Sequence, residues 1–600
     1  GDKKILQDYL AASPMKLKPV ATEEGHTVIL KQVAQLPEVD SSEGYVLTVT
    51  PDQVLVRATS GAGLFYGVQT MLQLADEKGL PAGVITDEPR FAYRGFMMDV
   101  SRHFFDKEFI KKQMDALAYY KLNRLHLHLT DAAGWRIEIK QYPRLTEFAA
   151  WREFPTWKEW WNNGRQYKEE GGKDAYGGYY TQDDIRELVA YAQERFITVI
   201  PEIEMPAHSE EVLTAYPELS CTHEPYKQAD FCVGNEKTFE FLENVLTEVM
   251  ELFPSEYIHI GGDEAGKASW PSCKLCQARM KKEGLKDVNE LQSYLIHRIE
   301  VFLNAHGRKL LGWDEILEGG LAPNATVMSW RGTEGGMKAV ASGHKAIMTP
   351  GEFCYFDSYQ DAPDSQPEAI GGYLPLAKVY SFNPVPDTLD ADKVPLVYGV
   401  QANLFTEYVP TPEHAEMMIY PRILALAEVA WSDPSVKAYD DFHARALKAV
   451  EELKVKGYHP FELKNEIGNR PGADQPVQHL AVGKKVIYGP DAAYYPGYSA
   501  GGDSALVDGV IGGWTYGDRR WQGFIDKKRM DVTIDMEKET AIHFIGADFM
   551  QVCGPEVFMP SEVIISVSND GKEFTELKRM EHKVVKDDKV TFTNFGWEGD

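Results

Sequence analysis

Cysteine is scarce in this chain. Six cysteines in 600 residues, at positions 221, 232, 273, 276, 354 and 553, exclude a small scaffold stapled by disulfides. Long apolar runs are missing as well. No stretch of about 18 apolar residues occurs, so no transmembrane helix is expected. Basic residues are outnumbered, 63 against 91 acidic ones, for a formal charge of −28. That balance argues against nucleic acid or an anionic membrane surface as a partner. No repeat or low-complexity tract stands out. No signal peptide is legible. The chain opens on Gly1-Asp2 without an initiator Met, so that gap says nothing about location.

What is present is the composition of a globular protein able to bury large cores, 44% hydrophobic and 12% aromatic. The length suggests about three or four domains, fewer if one is a barrel. Cys273-Lys-Leu-Cys276 has the spacing of half a zinc site, but no second Cys or His pair completes it along the sequence. Ordinary thiols or a disulfide are expected there, and no metal or cofactor. Cys221 and Cys232 flank a polar loop and would bridge in an exported protein.

Residues 1–88 read as a small α/β domain. Two strands, Tyr45–Thr50 and Gln53–Arg57, form a hairpin around Pro51-Asp52, and a helix runs from Gly61 to Leu74. From 89 to 465 short apolar strands alternate with helices. The strands are Gly95–Val100, Arg124–Leu129, Thr198–Ile203, Tyr257–Ile260, Lys309–Trp313, Thr326–Trp330, Lys345–Thr349 and Tyr398–Leu404. Helical patterns cover Lys107–Tyr120, Gln182–Glu194, Lys237–Leu252, Asn289–His306 and Gly335–Ser342. This order predicts an α/β fold, a (β/α)8 TIM barrel with insertions. A doubly wound open sheet is the alternative, but no Gly-rich phosphate fingerprint follows the first strand. Residues 477–600 have an all-β texture that reads as a C-terminal β-sandwich, ending at Asp600 short of its last strands.

In a barrel enzyme the working residues lie at the C-terminal ends of the strands. Here those ends carry Asp99 and Arg102-His103, then His128 and Asp131, then Glu202, Glu204 and His208. Next come Asp263-Glu264, Trp313-Asp314-Glu315, Trp330-Arg331, Tyr355 with Asp357, and Phe405 with Glu407. All eight ends carry polar, acidic or aromatic groups at once. Carboxylates and Arg grip hydroxyls and Trp faces stack on pyranose C–H groups, so the set suits sugar chemistry. The fourth end is the most telling. Tyr257-Ile258-His259-Ile260 runs into Gly261-Gly262 and two adjacent acids, which can face one ligand only if the strand has ended. An insertion from Trp151 to Tyr180 is rich in Trp and Tyr. It reads either as a stacking surface for sugar rings or as a self-packed loop.

His259-Ile-Gly-Gly-Asp263-Glu264 resembles the signature of the family 20 glycoside hydrolases, the β-N-acetylhexosaminidases. The resemblance extends from about residue 30 to about 435. It takes in Arg94 to Phe105, His126-Leu-His-Leu-Thr-Asp131, Gly134-Trp-Arg136 and Pro201 to His208. It implies an exo-acting, retaining enzyme that releases terminal N-acetylglucosamine or N-acetylgalactosamine from a glycan. Catalysis in that family is substrate-assisted, an exception to the two-carboxylate rule. By resemblance Glu264 is the general acid/base and Asp263 holds the substrate's acetamido group, whose carbonyl attacks the anomeric carbon. Tyr355 bonds that carbonyl, and Trp313 and Trp330 enclose its methyl group. Arg102, Asp357 and Glu407 hold ring hydroxyls, and Asp131 with His208 tunes Glu264. The implied location is periplasmic, cell-surface or secreted.

The chain departs from the family pattern in three places. Phe405 stands where Trp is usual at the floor of the sugar subsite, Ala132-Ala133 replaces a more polar pair, and Glu204 stands where Asp is common. The C-terminal region has a weaker, discoidin-like resemblance, through Leu506-Val-Asp-Gly509, Trp521-Gln-Gly-Phe524 and Ser568-Asn-Asp-Gly571. Bracing the barrel is favoured over binding sugar. Two other functions compete. One is a sugar-binding protein on a dead hydrolase scaffold, against which the intact acid pair argues. The other is a metal-dependent amidohydrolase, suggested by His126-x-His128 but lacking further His and Lys ligands.

Overall fold

The structure is a computed structural model that describes residues 1–526 and 529–599; Asp600, the last residue of the expected sandwich, lies outside them. The chain divides into two compact units. The first is Gly1–Asp357 with Leu376–Leu463, and the second is Ser358–Pro375 with Lys464–Asp600.

The first unit opens with a four-stranded sheet in the order Thr27–Gln32, Gln53–Ala58, Tyr45–Val49, Gly83–Asp87. The hairpin expected around Pro51-Asp52 is there, with Val49 opposite Val54. The helix Gly61–Leu74 packs on the sheet, and its Ser60 side chain caps the first turn through the Gly63 amide. Glu43 of this domain pairs with the fully buried Arg94 of the first barrel strand at 2.9 Å. Arg94 also reaches main-chain carbonyls of Phe91 and Lys121, so the buried charge is well satisfied.

Eight parallel strands close the barrel: Tyr93–Asp99, Arg124–His128, Thr198–Met205, Tyr257–Gly261, Lys309–Trp313, Thr326–Ser329, Ala346–Met348 and Val397–Leu404. Each expected strand is present, with no end displaced by more than two residues. Closure comes from the last strand pairing with the first, Gly399 opposite Tyr93 through Leu404 opposite Met98. These strands are buried nearly throughout, which accounts for their unbroken apolar texture. The barrel interior is filled by Tyr93, Ile200, Tyr257, Leu311, Trp313, Met328 and Ile347, a packed core rather than a pore. Several of the helices begin at side-chain caps. Asp106 caps Lys107–Tyr119, Thr181 makes a reciprocal capping box with Asp184, and Asp287 caps Val288–Ala305.

In the second unit six strands pair antiparallel in twos. Lys485–Tyr488 pairs with Val532–Asp535, Phe544–Val552 with Val590–Glu598, and Glu562–Val567 with Thr575–Glu581. The strand Val590–Glu598 was not legible in the sequence. Asp361 ties the short segment of this unit to the long one by accepting the Ile467 and Gly468 amides at 2.8 and 2.9 Å.

Candidate active site

The fourth barrel strand ends in a turn that only its sequence permits. Gly261 and Gly262 have φ of 72° and 88°, in the left-handed region. A Cβ on Gly261 would lie 2.1 Å from Glu204 Oε2, and one on Gly262 would lie 2.6 Å from the Ile316 side chain. Glu264 also sits at a positive φ, 50°, a strained position for a residue with a side chain. The turn breaks strand alternation and delivers both acids to one imidazole. His208 Nε2 is 3.3 Å from Asp263 Oδ2 and 3.2 Å from Glu264 Oε1.

His208 is held from behind. Its Nδ1 lies 3.1 Å from Asp131 Oδ1, and the other oxygen of Asp131 takes His128 Nε2 at 2.7 Å and Arg102 Nη2 at 3.2 Å. Arg102 is fixed by Asp99 at 3.0 Å and approaches Glu407 at 3.5 Å. Burial alone would favour a neutral His208, but Asp131 and Asp263 outweigh it and hold the imidazolium to well above the usual histidine range. Burial would likewise raise Asp263, yet the His208 charge keeps its carboxyl below the ordinary value. Glu204 goes the other way. Burial first, and Asp263 second, push its carboxyl well above the ordinary range. Neither Glu204 oxygen meets a nitrogen or hydroxyl donor. A hydrogen bond from Glu204 helps to keep the Asp263 carboxyl low.

Below this layer the two histidines of the second strand both bond Glu202, at 2.7 Å from His126 Nε2 and 2.6 Å from His128 Nδ1. Trp313 Nε1 donates to the other Glu202 oxygen at 2.8 Å. The His-x-His pair therefore converges on one buried carboxylate under the site. Trp313 itself is fully buried, its ring 4.9 Å from that of His259.

The opposite side of the mouth is aromatic and acidic. The Trp330 and Tyr355 rings stack at 6.1 Å and 14°. Glu315 orients Trp330 by accepting its Nε1 proton at 2.9 Å, and Asp314 takes its backbone amide at 2.8 Å. Phe405 is half-buried and meets Tyr355 at 5.5 Å, His128 at 5.6 Å and Trp313 at 6.2 Å, with the Arg102 guanidinium 5.5 Å over its ring. Burial, then Glu407, pushes the Asp357 carboxyl up to about 8, and burial raises Glu407 as well. Asp263 Oδ1, Asp357 Oδ1 and Glu407 Oε2 at this mouth are also buried without a donor among the described residues. Each is costly unless a ligand N–H or O–H meets it.

The fold thus brings the eleven predicted residues Arg102, Asp131, His208, Asp263, Glu264, Trp313, Trp330, Tyr355, Asp357, Phe405 and Glu407 to the C-terminal ends of the barrel strands. Supporting partners that the sequence reading left without a role are Asp99, Glu202, Asp314, Glu315 and Thr406, whose amide donates to Asp99 at 3.0 Å. Their place at strand ends was the one available signal. The aromatic insertion is part buried and part exposed. Trp160 and Tyr167 are buried against one another at 5.8 Å and Tyr180 packs on Phe104 at 5.0 Å, while Trp157 and Trp161 stack at 4.8 Å with Trp161 43% exposed. The cysteine reading needs correction. Cys221 and Cys232, eleven residues apart across a loop, do supply the second pair beside Cys273 and Cys276.

A closed (β/α)8 barrel with polar, acidic and aromatic side chains gathered at its C-terminal mouth has the layout of the barrel enzymes. The profile of the glycosyl hydrolase family 20 catalytic domain matches residues 91–434, and that of the family's domain 2 matches residues 1–88. The chain belongs to glycosyl hydrolase family 20. It is 46% identical to a beta-hexosaminidase of Porphyromonas gingivalis over 481 residues, 76% of this chain and 60% of that one. A beta-hexosaminidase of Akkermansia muciniphila is 33% identical over 75% of this chain and 91% of its own. The chain spans less than two thirds of the length of the first of these relatives. Among solved structures, the exo beta-N-acetylglucosaminidase of Vibrio harveyi in complex with N-acetylglucosamine superposes with a TM-score of 0.67 at 31% identity, covering 77% of this chain and 73% of that one. The beta-N-acetylhexosaminidase of Bacteroides fragilis gives 0.62 at 33% identity, covering 72% and 85%.

Proposed function

We propose that this chain is an exo-acting, retaining β-N-acetylhexosaminidase that works through the acetamido group of its own substrate. The observation that carries the reading is the single imidazole, His208, within 3.3 Å of both Asp263 and Glu264. Two acids so close together cannot straddle an anomeric carbon as acid and nucleophile, which in retaining enzymes stand about 5–5.5 Å apart on opposite faces. An orienting acid beside a proton donor fits.

In this mechanism Glu264 protonates the glycosidic oxygen. Asp263, ionised beside His208, accepts the acetamido N–H and balances the positive charge that develops as the carbonyl oxygen attacks. An oxazolinium-type intermediate forms, the C–O bond to the aglycone breaks, and water delivered by Glu264 opens the ring with retention. Tyr355 donates its hydroxyl proton to the attacking carbonyl. Trp330 walls the acetamido methyl and Trp313 floors it. Sugar hydroxyls supply the donors that Asp357 Oδ1 and Glu407 Oε2 lack, and Arg102 donates to a hydroxyl oxygen.

The reading is tested with a p-nitrophenyl N-acetylhexosaminide and a thiazoline mimic of the intermediate. Turnover is expected, with the thiazoline binding far more tightly than the product sugar. A covalent sugar adduct on a carboxylate, trapped by a fluorosugar and seen by mass spectrometry, would overturn the substrate-assisted step. A panel of N-acetylglucosaminides and N-acetylgalactosaminides sets the preference. The same reading makes the protein periplasmic, cell-surface or secreted, where glycans with terminal N-acetylhexosamine are met; cell fractionation checks it.

A further inference from the structure

Four of the six cysteines lie together, away from the carboxylates. The Sγ atoms of Cys221, Cys232, Cys273 and Cys276 all fall within 4.8 Å of one another. Cys221 lies 3.8 Å from Cys276, and Cys232 lies 3.7 Å from both Cys273 and Cys276. A tetrahedron with Zn–S bonds of about 2.3 Å has sulfur–sulfur edges of about 3.8 Å. A disulfide would bring two sulfurs to about 2.05 Å and leave the other pair without partners of that kind. All four are free thiols, three of them buried. We propose that they form a closed tetrathiolate site for one structural Zn2+.

The surrounding backbone supports this assignment. Cys273 is the N-cap of the helix Lys274–Glu283 and Cys276 lies in its first turn, where the helix dipole favours the negative charge of thiolates. Two residues past Cys232, Gly234 presses on that same turn. A Cβ there would stand 2.1 Å from the Leu275 carbonyl carbon and 2.3 Å from the Cys276 amide, so only glycine lets the two cysteine-bearing segments meet. Cys232 is pinned by its amide to Leu219 O at 2.9 Å and by its carbonyl to the Thr238 hydroxyl at 2.7 Å. No ligand position is left over for a reactant, which separates a structural site from a catalytic one.

The two segments are the continuations of the strands that carry His208 and Glu264. Cys221 and Cys232 come after the third strand, and Cys273 and Cys276 after the fourth. Between strand and cysteine the segments are also cross-linked, by the Lys267 amide to Asp230 at 2.8 Å and by the Trp270 indole to Phe231 O at 3.0 Å. The metal thereby staples the two loops whose near ends hold the His208–Glu264 contact. It positions that contact and touches no substrate.

The test uses the whole chain, purified under reducing conditions without added metal and analysed for metals. One zinc per chain is expected. Titration with a mercurial should release it as four thiols react, with a fall in melting temperature and in kcat larger than any change in KM. Cys276→Ser and Cys221→Ser should lose the zinc, while Cys553→Ser, which alters a cysteine outside the cluster, should keep it. If the serine variants fail to fold, the mercurial titration of the unmodified protein still decides. Four thiols that react without releasing metal would overturn the proposal. So would iron in zinc's place, or bridges among these cysteines in non-reduced peptide maps.

Discussion

The two sides of the barrel mouth treat their carboxylates in opposite ways. On one side Asp131 and Asp263 share His208, Asp131 takes Arg102 as well, and these cations hold both carboxyls below their ordinary range despite burial. On the other, Asp357 and Glu407 are buried with one shared arginine and unpartnered oxygens, and burial wins. The lesson is that residue type does not set the role of an acid; its cationic neighbours do. The side whose carboxyls are lowered suits charge stabilisation, and the side whose carboxyls are raised suits hydrogen bonding to neutral hydroxyls.

The largest effect expected on this comparison is at Glu264. Glu264→Gln should cost about 10²–10⁴-fold in kcat/KM on glycosides with poor leaving groups, and much less at the first step on nitrophenyl glycosides. Equal losses on both, in steady-state kinetics, would remove Glu264 from the role of acid. Asp263→Asn should come next, at about 10²–10³-fold in kcat with little change in KM, because the amide still positions the acetamido group but cannot balance its charge. A rise in KM alone would move Asp263 into simple binding.

On the side of the raised carboxyls the expected effects are smaller and depend on pH. The folded Asp357 keeps its proton up to about 8, against an ordinary 3.8. Between those values the folded chain binds more protons than the unfolded one, so this residue makes stability fall as pH rises through that window. Asp357→Asn, which mimics the neutral acid, should flatten the decline between pH 5 and pH 8 in denaturant titrations. An unchanged slope would show that Asp357 is ionised there. The smallest effect is at Phe405. Phe405→Trp should strengthen binding of a simple N-acetylhexosaminide by about 1 kcal/mol if the wider ring fits between Tyr355 and Trp313. Phe405→Ala should raise KM. If inhibition and kinetic constants move with neither substitution, Phe405 does not floor the sugar.

Much of this arrangement was legible residue by residue. Lys309–Trp313 and the helix Gly61–Leu74 read correctly to the residue, because an apolar strand or an amphipathic helix is written in its own side chains. The acids after Gly261-Gly262 were legible for the same reason. A strand that stops at glycines must present the next side chains at its mouth. Val590–Glu598 was missed because it is half-exposed and mixes Thr, Asn and Gly into its apolar pattern. The second unit's short segment, 358–375, was missed because no local signal sets it apart from the barrel chain around it.

By itself the sequence determined the eight strands, their order and the residue types at their ends, since these depend on periodicity and on turn chemistry within a few residues. Only the tertiary structure decided which side chains meet. Glu202 joins His126 to His128 and Trp313, His208 bridges Asp263 and Glu264, and Cys221 and Cys232 close on Cys273 and Cys276. Those meetings span crossovers of tens of residues. Their geometry, and with it the charge of each buried acid, exists only once the barrel has closed.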